Sequence, residues 1–273
     1  EMIDGPTPLH YVGAPAPGSG KTTLARVLLS PALGAVPDAA GPSDEEEWRK
    51  SITAQLMESP SAVFFDDAGD FGSRNLSRAL TTRSAWSDRF LGKTLTVNLP
   101  VRCAWVATGN NLRIDQAIAR RSVPIRLDAQ VERPWYRTGF RHPAIEQFAA
   151  EQRPTLVAAA LTIVQAWVSA SRRGVEGAPL ASVRIGYPEY ERLVGGILRH
   201  SGIGGFLDNH PEFVEVEDED DLAPFLEAWA SLGIVPVTTR DLEMLVRPLG
   251  PLHPTAPASM RAIPDRDLPG RLP

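Results

Sequence analysis

A single cysteine, Cys103, stands in 273 residues, so no internal disulfide can form and a reducing, cytoplasmic setting is expected. No apolar run approaches the length that crosses a bilayer, and the N-terminus carries no basic-then-hydrophobic leader, so no membrane partner is expected. The five histidines have no metal-ligand spacing among themselves or with Cys103. No serine or cysteine nucleophile motif stands out. Positive charge is also in deficit, with a formal net charge of −5, which by itself argues against a nucleic-acid partner. Its distribution argues otherwise. Between Phe71 and Arg141 thirteen basic residues face four acidic ones, and the rest of the chain is correspondingly acidic. Such a segment fits either an anionic partner or a solvated surface of paired charges. The chain begins a few residues before its first expected strand, as a piece of a longer protein would.

What is present centres on Gly13-Ala14-Pro15-Ala16-Pro17-Gly18-Ser19-Gly20-Lys21-Thr22-Thr23. Leu9 to Val12 form an expected strand, and Thr23 to Leu29 an expected helix ended by Pro31. Between them Pro17, Gly18, Ser19, Gly20, Lys21, Thr22 and Thr23 read as a phosphate-binding loop for ATP. The glycines let backbone N–H groups close around an anion, and the helix N-terminus adds its positive end. Lys21 would stand between the β- and γ-phosphates, and the Thr22 hydroxyl would ligate Mg²⁺. Pro15 occupies the place where the GxxxxGK[ST] spacing calls for glycine, which stiffens the rear of the loop.

Forty-five residues beyond Lys21, Ala62-Val63-Phe64-Phe65-Asp66-Asp67 reads as a buried parallel strand ending in two carboxylates. Asp66 would hold the metal, and Asp67 would orient or deprotonate the attacking water. A second buried strand, Arg102 to Ala107, delivers Thr108-Gly109-Asn110-Asn111 to the same edge. Asn110 there suits a sensor of the γ-phosphate and lytic water, although Gly109-Asn110 alone reads equally as a turn. Arg120 and Arg121 end a helix just before Val123 to Leu127, whose Pro124 confines that strand to a sheet edge. Either arginine could reach a neighbouring subunit's γ-phosphate, or serve a salt bridge. Between the two buried strands, Trp86 to Leu99 reads as a β-hairpin with a basic tip. Arg89 and Lys93 are its candidate DNA-binding residues, Phe90 a stacking face, and Trp86 a core anchor.

Elsewhere Ala35 to Asp38 is a weak strand, and Ser43 with Glu46 has the form of a capping box opening a helix to about Glu58. Glu45 to Glu47 read as first-turn charge. A helix from Pro154 carries Val157, Leu161, Val164 and Val168 on one stripe, taken as core. Further helices are expected at Pro188–His200, around Phe225 to Trp229, and at Thr239–Val246. The acidic run Glu215–Asp221 reads as a solvated loop. Seven prolines in the last 26 residues read as a disordered tail.

The phosphate loop, the Asp66-Asp67 strand, the basic hairpin and Asn110 resemble the compact layout of superfamily 3 helicases and related AAA+ ATPases. Trp86-Ser87-Asp88-Arg89, Ala107-Thr108-Gly109-Asn110-Asn111-Leu112, Ala119-Arg120-Arg121 and Thr138-Gly139-Phe140-Arg141-His142-Pro143 are also similar to ATPase domains joined to primase-polymerase modules of phages, plasmids and integrative elements. The resemblance spans roughly residues 9–207. It implies an α/β P-loop fold, a parallel sheet with helices on both faces, followed by a smaller helical C-terminal domain. The expected division is an ATPase core at 1–143, a helical lid at 144–247 and the tail at 248–273. It further implies ATP hydrolysis with Mg²⁺, a homo-oligomer in the form of a hexameric ring, and movement along single-stranded DNA during replication of a mobile element. Lys21, Asp67, Asn110, Arg120 and Arg121 would be the catalytic set. The alternatives are a protein-remodelling ATPase and a nucleotide-dependent switch or scaffold; a small-molecule kinase would need neither Asn110 nor the arginine pair.

Overall fold

The computed structural model describes residues 3, 5–37, 39–67, 72–89, 95–110, 114–131, 133–172 and 184–218. The chain divides into two compact units, Glu1–Glu217 and Asp218–Pro273. The expected 143/144 boundary falls inside the first unit. Of the second only Asp218 is described, so the helices expected near Phe225 and Thr239 and the proline-rich tail lie outside the described residues.

Strands and helices alternate in the first unit. Strand β1 (Leu9–Ala14) leads to helix α1 (Lys21–Leu33), β2 (Ala39–Ala40), α2 (Glu45–Met57), β3 (Ala62–Asp66) and α3 (Arg74–Thr81). A pair β4 (Ala85–Arg89) and β5 (Thr96–Pro100) follows, then β6 (Ala104–Asn110), α4 (Gln116–Ala119) and β7 (Ser122–Arg126). A 3₁₀ turn (Pro134–Tyr136) and helices α5 (Ile145–Glu151), α6 (Arg153–Arg172), α7 (Pro188–His200) and α8 (His210–Asp218) complete it. The result is an α/β fold. The main sheet has the order β2-β3-β6-β1-β7 with every neighbouring pair parallel, and β2 supplies only two residues of it. β4 and β5 stand apart as the expected antiparallel hairpin, with Arg89 opposite Thr96.

Side chains on a strand alternate between faces, and the two faces of this sheet are built differently. Val63, Phe65, Trp105 and Ala107 join a large core with Trp48 and Ile52 of α2, Leu76 and Leu80 of α3 and Ile118 of α4. Phe64 and Val106, on the opposite face, meet Ala25 of α1. Trp48 and Phe65 pack edge to face with ring centroids 4.9 Å apart, and Trp86 and Trp105 are completely buried. Trp86 is therefore the core anchor expected of it. Pro124 lies in β7, the edge strand, where its missing N–H breaks no inner ladder.

Several local expectations shift. Pro31 does not end α1, which runs to Leu33 and stops at Gly34. The Val27 carbonyl that Pro31 leaves without an amide donor accepts from the Ser30 hydroxyl at 3.1 Å, so the last turn survives. The weak strand expected at 35–38 sits later, at Ala39–Ala40. The cap of α2 is Asp44, not Ser43: its carboxylate accepts from the Glu47 N–H at 2.9 Å. Part of the acidic run, Glu215 to Asp218, belongs to α8 instead of a loop. On α6, Val157, Val164 and Val168 are half-buried but Leu161 is 62% exposed, because α1, α5 and α7 cover the helix only in part. The expectation that no apolar run approaches bilayer-crossing length fails here: its segment Arg153–Ser171 is, among the described residues, the one helix long and apolar enough to cross a membrane by length and composition alone.

Candidate functional site

The parallel register brings three chain segments out at one edge of the sheet. Ala14 at the end of β1 lies opposite Asn110 at the end of β6, and Phe65 of β3 lies opposite Ala107. The loop from Pro15 to Gly20, the pair Asp66-Asp67 and the stretch Thr108 to Asn110 therefore share a neighbourhood. Carboxyl-end edges of parallel sheets are where α/β folds take their ligands.

Two glycines of the loop take backbone that favours glycine. Gly18 and Gly20 have φ of 69° and 94°, left-handed values that an L side chain rarely adopts. Lys21 opens α1, and no side chain caps that end, so an anion can take the first-turn N–H groups. The Lys21 side chain is buried, with Nζ 3.4 Å from Ser19 Oγ. Burial lowers its pKa, opposed by the nearby charges of Asp67 and then Asp66. A bound phosphate would supply further counter-charge to this desolvated ammonium.

Asp66 is the hub. The Thr22 hydroxyl donates to its Oδ1 at 2.7 Å, and the Thr108 hydroxyl donates to the same atom at 2.7 Å. Thr108, fully buried, also accepts from the Asp67 backbone N–H at 2.9 Å. One hydroxyl thus ties the metal-type carboxylate to the next residue's backbone. Asp67 itself is exposed and has φ of 47°, a conformation aspartate tolerates better than most residues and one often found at sites under functional constraint. Thr108 was not singled out by the sequence reading. The available signal was its place two residues before Asn110 on a buried strand bound for the same edge.

The donor set suits Mg²⁺. Thr22 and Asp66 offer hard oxygens, and Mg²⁺ is held by one or two carboxylates together with substrate phosphates and water. No cluster of three or more His, Cys, Asp or Glu side chains placed to hold a metal occurs among the described residues. Asn110 lies in β6 beyond Gly109, so the pair forms part of the ladder and not a turn.

The arginines lie elsewhere. Arg120 and Arg121 precede β7, at the amino end of the sheet, and the Leu9 N–H donates to the Arg121 carbonyl at 3.1 Å. The six-residue β1 separates them from the 15–20 loop at its other end by roughly 20 Å at 3.3 Å per residue. The two also differ from each other. The Arg121 guanidinium donates to the Ala117 carbonyl and closes α4, whereas Arg120 is exposed at the helix end. Arg89 is exposed at the end of β4, while Phe90 and Lys93 lie outside the described residues. Part of the basic excess is structural: Arg78 covers the Trp86 ring at 4.2 Å and donates to the Ser87 carbonyl.

Compared with known proteins, the chain matches no protein-family model and no curated sequence.

Proposed function

We propose that the chain is a P-loop ATPase motor domain of the AAA+ or superfamily 3 kind, acting in a ring on DNA. The observation that carries this reading is the convergence of Thr22 and Thr108 on Asp66 beside buried Lys21. The strand order supports it, since β6 stands between the loop strand β1 and the acid strand β3. That interposed strand ends at Asn110, in register with Ala14 at the start of the loop, a position that suits a sensor of the γ-phosphate.

In this reading the loop amides and Lys21 grip the β- and γ-phosphates. Mg²⁺ would neutralise charge on the transferring phosphoryl group. Thr22 and Asp66 hold the metal, and Asp67 orients the attacking water. Asn110 aligns that water with the γ-phosphate. Arg120, exposed and remote from its own loop, is the arginine offered to a neighbour's site, and Arg121, whose guanidinium donates to the Ala117 carbonyl, braces the turn that presents it. The hairpin bearing Arg89 and Lys93 contacts the DNA backbone. The replication setting in a mobile element rests on the sequence resemblance.

The test is ATP turnover with and without single-stranded DNA. Turnover should rise with DNA and vanish in Lys21→Ala. Hydrolysis indifferent to every DNA offered would overturn the motor reading in favour of a protein-remodelling machine or a switch. Mixing Asp67→Asn subunits with Arg120→Ala subunits should restore partial activity, as the same mixture with Arg121→Ala should not.

A further inference from the structure

Past the edge strand β7, the sequence Arg133-Pro134-Trp135-Tyr136-Arg137 makes a single 3₁₀ turn, and its aromatic residues are unusually open. Pro134 is buried and fixes the turn, yet Trp135 is 54% exposed and Tyr136 70%. Together the two exposed rings form an aromatic patch, the kind of surface that can mark a ligand site, whereas a lone exposed ring would need no explanation. Its position narrows the choice. A Cβ placed on Gly18 would sit 3.0 Å from Trp135 Cβ and 3.4 Å from its Cα, so the turn lies directly against the phosphate loop. Glycine at position 18 serves both the left-handed backbone and this close approach. The Tyr136 ring stands 5.9 Å away at 49°, extending the aromatic surface.

We infer that Trp135 is the stacking platform for the base of the nucleotide whose phosphates the Gly18–Thr22 loop holds. The inference rests on the phosphate-loop reading and adds to it the part of the ligand that this loop cannot grip. An indole face beside the loop would be the surface against which a base one ribose beyond the α-phosphate can lie. Stacking uses the π-face that every base possesses, so it serves ATP and GTP alike and reads no base edge.

The test compares Mg²⁺-ATP, Mg²⁺-GTP and Mg²⁺-tripolyphosphate binding by calorimetry on the full chain. Trp135→Ala should weaken ATP and GTP about tenfold, the scale of one lost base–aromatic stack, and leave tripolyphosphate unchanged. Trp135→Phe should restore most of the loss. Equal loss for ATP and tripolyphosphate would show that Trp135 only shapes the loop, and unchanged ATP affinity would remove it from the site; either overturns the inference. Loss of oligothymidylate binding with ATP affinity intact would overturn it in favour of a strand-binding platform. Should the unmutated chain bind neither ATP nor tripolyphosphate, the phosphate-loop reading itself fails, an outcome distinct from all the others.

Discussion

Among the described residues, threonine hydroxyls donate to an aspartate at two places, with different consequences. At the sheet edge Thr108 and Thr22 donate to Asp66; at the base of the hairpin Thr53 of α2 meets Asp88 of β4. Asp88 is also gripped by Arg49, whose Nη1 lies 2.6 and 2.7 Å from its two oxygens, and it accepts from the Arg89 N–H at 2.8 Å. Desolvation would raise the pKa of Asp88, but the Thr53, Arg49 and Arg89 hydrogen bonds outweigh it and hold the carboxyl below the ordinary range. A carboxylate closed by a guanidinium on its own neighbouring helix is a fastening. Asp66 is held by two hydroxyls, neutral donors that a divalent cation can displace or share. The same residue pair thus reads as structure or as chemistry according to its third partner.

The contrast is broken most directly at the two aspartates. Asp66→Asn should cut Mg²⁺-dependent hydrolysis on the order of a hundredfold or more, the scale of removing one preorganised electrostatic group. Its melting temperature should barely move, since the amide oxygen still accepts from Thr22 and Thr108. Asp88→Asn should do the reverse. It removes a charge from a pair that is only partly exposed, costing about 2–3 kcal/mol, less than a fully buried pair. For a chain of this size that is roughly 5–10 °C in thermal denaturation. Because the folded Asp88 carboxyl binds a proton less readily than the unfolded one, its contribution is complete above the ordinary aspartate pKa of about 3.9. That contribution is lost as pH falls through the depressed value, so Asp88→Asn should flatten this part of the acid-unfolding profile. An Asp88→Asn chain that keeps its melting temperature and loses ATPase activity would make the hairpin base part of the proposed motor.

These two sites were not equally legible. The Gly-rich loop and Asp66-Asp67 are contiguous motifs carried by consecutive residues, and Lys21, Thr22 and Asp66 come together as their spacing implies. The buried strand Arg102 to Ala107 announces that Thr108 reaches the same edge, but its contact with Asp66 depends on β6 pairing directly with β3 across more than forty residues, which the sequence pattern does not specify. The Arg49–Asp88–Thr53 fastening is equally non-local. Smaller errors have local causes. Ser43 and Asp44 both carry a capping oxygen, and the backbone chose the second. Pro31 reads as a stop unless Ser30 is credited with replacing the lost donor. A heptad-like stripe identifies one face of α6 but not whether anything covers it, which is why Leu161 was misplaced in the core.

The threonines sharpen the contrast at lower amplitude. Thr108→Val keeps the volume but removes the donor to Asp66 and the acceptor for the Asp67 N–H. If Asp66 holds the metal and Asp67 orients water as proposed, misaiming both should lower kcat about tenfold, in the range seen when supporting partners of metal ligands are lost. Thr108→Ser should recover most of it. If instead only the melting temperature falls, Thr108 is a packing residue.

Thr53→Val is the smallest of the four and the most diagnostic of the fastening. The Thr53 hydroxyl has one proton, which goes to Asp88 Oδ2 at 2.6 Å in preference to the neutral Arg49 carbonyl at 2.8 Å, and its lone pair receives Trp86 Nε1 at 2.9 Å. Valine leaves the buried indole N–H without its acceptor and Asp88 without one donor, while Arg49 still neutralises the charge. The expected cost is that of one unsatisfied buried donor, about 1–2 kcal/mol, or roughly 2–6 °C, with ATP turnover unchanged below the transition. A double-mutant cycle with Trp86→Phe then separates the two bonds. If the indole N–H carries the loss, Thr53→Val should cost markedly less in the Trp86→Phe background; if the Asp88 bond carries it, the costs should add.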